Sequence, residues 1–223
     1  MTQLPRRAWL RRTIGLAACA AGAALGGPVI KNASHKTSSD PVKALLRPPG
    51  AGPAANFLTA CIRCGQCIEA CPFDSLISAG PLAGLSSGTP YVNARAMPCK
   101  LCEGEDLLLC IDVCPTDALT LPHAEGEEPG GVVDQIYNIR MGVARIDTDL
   151  CMAWQDQVCR ACWHACPFPD DAIELDRMGR AFINEDSCIG CGLCDWACLT
   201  EPSSILMIPE DARQRDQANA VEG

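Results

Sequence analysis

Cys61-Ile62-Arg63-Cys64-Gly65-Gln66-Cys67-Ile68-Glu69-Ala70-Cys71-Pro72 spaces four thiols as C-x2-C-x2-C-x3-C-P. Three cysteines two residues apart let one tight loop offer a thiolate to three irons of an inorganic cube. The fourth is carried onto the next turn, where it serves a second cube, so this spacing predicts paired clusters. A zinc site wants two C-x2-C knuckles separated by a dozen or more residues, and thiols packed this closely do not present that tetrahedron easily.

The unit recurs along the chain. A second group is Cys99, Cys102, Cys110 and Cys114, followed by Pro115; a third is Cys151, Cys159, Cys162 and Cys166, followed by Pro167. The fourth is Cys188, Cys191, Cys194 and Cys198, with Leu199 where the others carry proline. A short apolar or alternating segment follows each group: Asp74–Ile77, Asp117–Leu121, Asp171–Leu175 and Ser204–Ile208. Val143–Asp147 and Ala181–Asn184 precede the third and fourth groups, and all six segments read as strands. Each repeat is therefore expected as strand, cluster loop, short helix and strand, an α+β fold. Groups one and four are compact and groups two and three are expanded. That palindrome suggests two nested ferredoxin-like modules, an outer one from 57–80 and 182–209 and an inner one from 90–181. Between groups two and three, His123 to Gly131 reads as an exposed acidic excursion.

Upstream, Arg6-Arg7-Ala8-Trp9-Leu10-Arg11 looks like a twin-arginine export signal, and the uncharged run Thr13–Ile30 is weakly apolar, as a signal h-region is. Residues 1–30 are thus read as a targeting segment or retained N-terminal anchor, and 31–56, rich in Ser, Ala, Pro and Gly, as a linker. Leu16-Ala17-Ala18-Cys19 resembles a lipoprotein box but stands close behind Arg12; Cys19 is read as a small apolar signal residue. Residues 210–223 read as a disordered tail.

Composition limits the function. The chain of 223 residues has 17 Cys but only 4 Trp, 2 Tyr and 4 Phe, so inorganic sites must supply much of its adhesion. Met1–Arg47 holds eight Lys/Arg and one acid, whereas the remainder holds ten Lys/Arg and 26 acids. An acidic body behind a basic leader makes nucleic acid an unsuitable partner. There is no G-x-G-x-x-G, P-loop or C-x3-C-x2-C run, which speaks against an enzyme.

From Arg6 to about Pro209 the chain resembles the MauM/NapG family of ferredoxin-type proteins, associated with methylamine oxidation and periplasmic nitrate reduction. The resemblance is carried by the twin-arginine leader, Leu46-Arg47-Pro48-Pro49-Gly50, Cys61–Pro72, Gly84-Leu85-Ser86-Ser87-Gly88-Thr89-Pro90-Tyr91, Arg140-Met141-Gly142 and Cys188–Cys198. It implies four [4Fe-4S] clusters and electron transfer at the periplasmic face of the inner membrane. Redox proteins would be its partners: a membrane-side donor or acceptor and a periplasmic enzyme or cytochrome, with association to the membrane through the N-terminus.

By similarity to multi-cluster iron–sulfur subunits, Cys61, Cys64 and Cys67 would share a cube with Cys198, and Cys188, Cys191 and Cys194 one with Cys71. Likewise Cys99, Cys102 and Cys110 would pair with Cys166, and Cys151, Cys159 and Cys162 with Cys114. Trp163 and Trp196 are expected to shield clusters from water, and His164 to be a surface or supporting residue rather than a ligand. The length of Cys102-x7-Cys110 and the plain tail favour the methylamine branch. A relay to a nitrate reductase and an assembly factor for a partner redox enzyme are the alternatives.

Overall fold

The computed structural model describes residues 44–121 and 136–221, with side chains to residue 218. The export signal, Cys19 and the acidic excursion at 123–131 lie outside the described residues.

Among the described residues, five short helices and six strands form two consecutive copies of one plan. In the second copy, β3 (Gly142–Ile146) leads into a 3-10 turn (Met152–Gln155), the third cysteine group and α4 (Ala161–Ala165). The hairpin β4 (Ile173–Leu175) and β5 (Ala181–Ile183) follows, then the fourth group with α5 (Leu193–Ala197) and finally β6 (Ile205–Pro209). Strands β3 and β6 pair antiparallel with Gly142 opposite Pro209 and Ile146 opposite Ile205, while β4 and β5 pair Ile173 with Ile183. The first copy runs through α1 (Ala54–Ala60), the first group with α2 (Gln66–Glu69), the hairpin β1 (Leu76–Ser78) and β2 (Pro90–Val92), and the second group with α3 (Leu109–Asp112). Its outer strand pair is reduced to a single antiparallel bridge between Ala51 and Leu119.

The nested arrangement is therefore overturned: groups one and two make one module, and groups three and four the other. The reason is local. Hairpins β1–β2 and β4–β5 each join adjacent groups, so each module closes over a short stretch of chain, whereas nesting would close the loop between groups one and four across the whole body. A palindrome of compact and expanded groups also arises when two sequential modules are mirror-ordered, so the spacing alone did not discriminate.

Two boundaries also move. Structure begins before Phe57, because Leu45, Leu46, Pro48 and Pro49 are buried and the Leu46 carbonyl accepts the Val92 N–H at 2.8 Å, extending the β1–β2 sheet. At the other end the expected tail is α6 (Glu210–Val221). Its Arg213 meets Glu210, Glu185 and Asp186, and Asp211 Oδ1 accepts the Ala54 N–H at 2.8 Å at the start of α1, so α6 ties the modules together. Of the six expected strands, Asp117–Leu121 supplies only the Leu119 bridge, and β2 is an addition.

Arg47 anchors the first module. Only 4% exposed, it donates from Nη1 to Thr89 Oγ1 (2.8 Å) and from Nη2 to Ser86 Oγ (2.9 Å), and its guanidinium lies over the Phe57 ring at 4.9 Å. Burial lowers its pKa, with the negative charges of Asp211 and Cys61 opposing. Two separated stretches of the family signature, 46–50 and 84–91, thus exist in this fold as one contact. Hydrogen bonds to a charged donor contribute about 1.5–3 kcal/mol each, so Arg47→Met is expected to lower stability by about 3 kcal/mol. Denaturant unfolding of the iron-loaded protein checks this; a loss under about 1 kcal/mol would mean the anchor is dispensable.

Candidate iron–sulfur sites

The cysteine loops turn through left-handed backbone. In the two compact groups matched positions share it: Arg63 (φ 59°) with Gly190 (φ 77°), and Gly65 (φ 79°) with Gly192 (φ 85°). In the second group Leu101 (φ 55°) and Cys102 (φ 52°) do the same. Such turns aim successive backbone N–H groups at one point, the concavity found around phosphates and iron–sulfur centres. Arg63 tolerates its conformation because its side chain is tied down, Nε to the Ser87 carbonyl at 2.8 Å and Nη2 to that of Leu85 at 3.1 Å.

Among the described residues, three recesses are each lined by four cysteines and otherwise mainly by apolar groups. The first brings together Cys61, Cys64, Cys67 and Cys114. The second joins Cys71, Cys99, Cys102 and Cys110, and the third Cys166, Cys188, Cys191 and Cys194. Of the remaining four, Cys151 and Cys159 act electrostatically on Cys162, and Cys162 packs in the same apolar cluster as Cys198. The crossing of fourth cysteines is thus present, but between adjacent groups. Cys114 takes the place expected for Cys198, Cys166 that expected for Cys71, and Cys71 that expected for Cys166.

The donors suit a cube rather than a lone ion or disulfides. All sixteen described cysteines are free thiols, and among the described residues no three His, Cys, Asp or Glu side chains converge as ligands of one metal ion. Thiolates around a cube stand farther apart than the ligands of a single zinc, whose Zn–S bonds are about 2.3 Å.

Burial dominates the thiol chemistry. It pushes Cys67 and Cys162 up to about 11 and Cys191 to about 12, and raises Cys110 and Cys194 well above the ordinary value. Cys99 also rises to about 12: burial leads, the Leu101 backbone opposes it, and the charge of Cys191 adds more than that of Cys102. Two fourth cysteines behave differently. Burial would raise Cys198, but hydrogen bonds from Ser204 and Thr200 outweigh it and bring the thiol down to about 6. At Cys114 burial is likewise overcome, here by the backbone of Thr116 and Leu119.

After Cys198 the turn is built without the proline seen in the other groups. Thr200 Oγ1 accepts the Ser204 N–H at 2.8 Å, and the hydroxyls of both Thr200 and Ser204 lie 3.2 Å from the Cys198 sulfur. These hydroxyls were missed in the sequence; a Thr and a Ser two and six residues beyond the last cysteine were the available signal. His164 is exposed and meets the Trp163 ring edge-on, consistent with a residue outside the ligand set. Trp163 is half-buried and donates from Nε1 to Asp170, whereas Trp196 is 50% exposed and so does not seal a site from water.

Four-thiol recesses built on crossed cysteine loops define a ferredoxin-type iron–sulfur protein. A family model described as a 4Fe-4S dicluster domain matches residues 60–118, which takes in the first two groups together, as the fold does. The ferredoxin-type protein NapG of Escherichia coli (strain K12) is 39% identical over 175 residues, 74% of this chain and 70% of that protein. The methylamine utilization ferredoxin-type protein MauM is 34% identical in Methylorubrum extorquens over 86% of this chain and 83% of the relative, and 31% identical in Paracoccus denitrificans over 92% and 90%. The chain belongs to this family of NapG and MauM ferredoxin-type proteins.

Hydrogen bonds to sulfur stabilise the more negative, reduced state of a cluster. Thr200→Val with Ser204→Ala is therefore expected to lower one midpoint potential and leave the others in place. Redox titration followed by electron paramagnetic resonance checks it, and an unchanged set of potentials would count against Cys198 as a ligand.

Proposed function

We propose that this protein is a one-electron relay carrying four [4Fe-4S] clusters and lacking a substrate pocket. The observation that carries the reading is the set of apolar, four-cysteine recesses, each closed by a thiol from the neighbouring group. The cubes supply reversible one-electron chemistry. The chain's own part is to hold the thiolates, aim backbone N–H groups inward and exclude water. Cys61, Cys64, Cys67 and Cys114 are assigned to site A, and Cys71, Cys99, Cys102 and Cys110 to site B. Cys166, Cys188, Cys191 and Cys194 form site C. Cys151, Cys159, Cys162 and Cys198 form site D by the same crossing. Anaerobically purified protein is expected to contain about sixteen irons and as many acid-labile sulfides. Cys64→Ala and Cys114→Ala should each remove the same cluster. Stoichiometric zinc, or distinct clusters lost in those two variants, would overturn the assignment.

The working place we infer is the periplasmic side of the inner membrane, reached through twin-arginine export of the folded, iron-loaded chain. Sixteen unligated thiols threaded into an oxidising compartment would cross-link before iron reached them, so iron loading and folded export belong together. Among the described residues no helix is long and apolar enough to cross a membrane. Replacing Arg6 and Arg7 with Lys should leave loaded protein in the cytoplasm; unchanged export, followed by fractionation, would exclude this pair as the signal.

For the physiological system, methylamine utilisation is supported by similarity to MauM over 86% and 92% of the chain, against 74% for NapG. The nitrate-reduction branch has the higher identity, 39%, in its favour. Stopped-flow mixing of the reduced protein with partners from each system distinguishes them. An absence of reoxidation by either, together with a partner enzyme that lacks its cofactor when this protein is missing, would favour the assembly role.

A further inference from the structure

We propose that the four sites stand in the order A–B–C–D, that electrons cross between modules at the contact of Cys99 with Cys191, and that Arg95 is the positioning residue that holds this crossing. The inference rests on the four-cluster reading and adds the sequence of sites, which neither spacing nor the relatives' names provide.

The two module-internal steps follow from the crossed cysteines. Cys67 of site A lies in α2 and Cys71 of site B two residues beyond its end, and Cys67 and Cys110 of site B are buried in the same cluster. In the other module Cys194 of site C lies in α5, which ends at Cys198 of site D, and it shares one apolar cluster with Cys162, also assigned to site D. Between modules one pair of ligand residues is in direct contact: the Cys99 N–H of site B donates to the Cys191 carbonyl of site C at 3.0 Å. Ile189 of the site C loop joins in, buried in the same apolar cluster as Cys99 and Leu101.

Exposure agrees with B and C as the inner sites. Three of the four cysteines of site B and two of site C are buried, against one each at A and D. Equivalent side chains make the same distinction, since Ile62 in the first group is 61% exposed and Ile189, at the same place in the fourth, is 3% exposed. At the outer sites, Cys64 is exposed, and Val158 beside Cys159 is 96% exposed.

The seam is close-fitting because small residues face each other. A Cβ on Gly192 would collide with Ala94 of the first module; within the second module, one on Gly190 would lie 2.5 Å from the backbone nitrogen and oxygen of Gly142. Beside Ala94, Arg95 reaches from the first module to the far end of α5. Its Nη1 donates to the carbonyls of Asp195 (2.6 Å) and Cys198 (2.9 Å), and its Nη2 to that of Thr200 (3.1 Å) and to Glu201 (2.9 Å). Ala94 and Arg95 therefore grip both ends of the helix whose first residues follow Cys191. The Asp195 carbonyl also accepts the Cys198 N–H at 3.2 Å, so Arg95 adds a charged donor from outside the module to the closing turn of α5 and to the loop that follows it. A one-electron exchange between adjacent sites makes and breaks no bond and moves no proton; it requires only that the sites stay close.

Electron paramagnetic resonance of the full-length, dithionite-reduced protein tests the order, because neighbouring reduced clusters broaden and split each other's signals. Cys102→Ala, which removes site B, should leave site A with a sharp, uncoupled signal while C and D stay coupled. Cys159→Ala, which removes site D, should leave A coupled to B. Site A still coupled after loss of B, or uncoupled after loss of D, overturns the order. Arg95→Met should keep the full iron content yet lose the splitting between B and C, and Arg95→Lys should restore part of it. An unchanged spectrum, or loss of iron in Arg95→Met, overturns the role given to Arg95. A wild-type iron content well below about sixteen would instead refute the four-cluster reading itself.

Discussion

Thiols in a low-dielectric interior will not ionise without a compensating charge, and this constraint governs the molecule. Six cysteines, Cys67, Cys99, Cys102, Cys110, Cys191 and Cys194, lie in the main apolar clusters, where an ordinary domain would place leucine or valine. Burial alone keeps most of these thiols neutral, and only iron makes thiolate the favoured form there. Strands of three to five residues and helices of four to seven in the cysteine modules have too little surface to hold themselves together. Ligation is thus part of folding, and the recesses are the missing part of the core.

Within that frame the individual elements were legible to different degrees. The alternating segments before and after the cysteine groups gave β1, β3, β4, β5 and β6 because period-two patterning survives even in short strands. Pro90-Tyr91-Val92 escaped because three residues led by proline carry no pattern; pairing with Leu76–Ser78 makes them a strand. The segment at 44–49 looked like linker because it sits within 31–56, a stretch rich in Ser, Ala, Pro and Gly. What orders it is Arg47, a charged residue whose partners, Ser86 and Thr89, lie about forty positions away. The carboxy-terminal helix was hidden for a similar reason, since its polar sequence has no apolar stripe and is held by ion pairs and by capping α1.

All sixteen described cysteines were recognisable from spacing, and the structure gathers twelve of them into three recesses that share thiols between groups. Which groups share was not recognisable, because the spacing of a group records the shape of its own loop and nothing about its neighbour. The distinction resides in the hairpins β1–β2 and β4–β5, which turn each group back onto the next. The hydroxyls at Cys198 show the same limit in miniature. The absence of proline at 199 signalled a different turn, but the donors that replace it, Thr200 and Ser204, are recognisable only once the chain has folded over the sulfur.

Arg63 and Gly190 occupy one position of a repeated motif, both in left-handed backbone, yet their surroundings are opposite. Above Gly190 lies the backbone of Gly142, with no room for a side chain, whereas Arg63 extends over the rim of its loop to the carbonyls of Ser87 and Leu85. The two compact loops are therefore exchangeable in one direction only. A copy of the fourth group could be grafted into the first position with the loss of a surface tether, but a copy of the first group in the fourth position would drive an arginine into the backbone of β3. The two loops of the repeat therefore cannot be shuffled freely, and a single glycine marks the one that lies against β3.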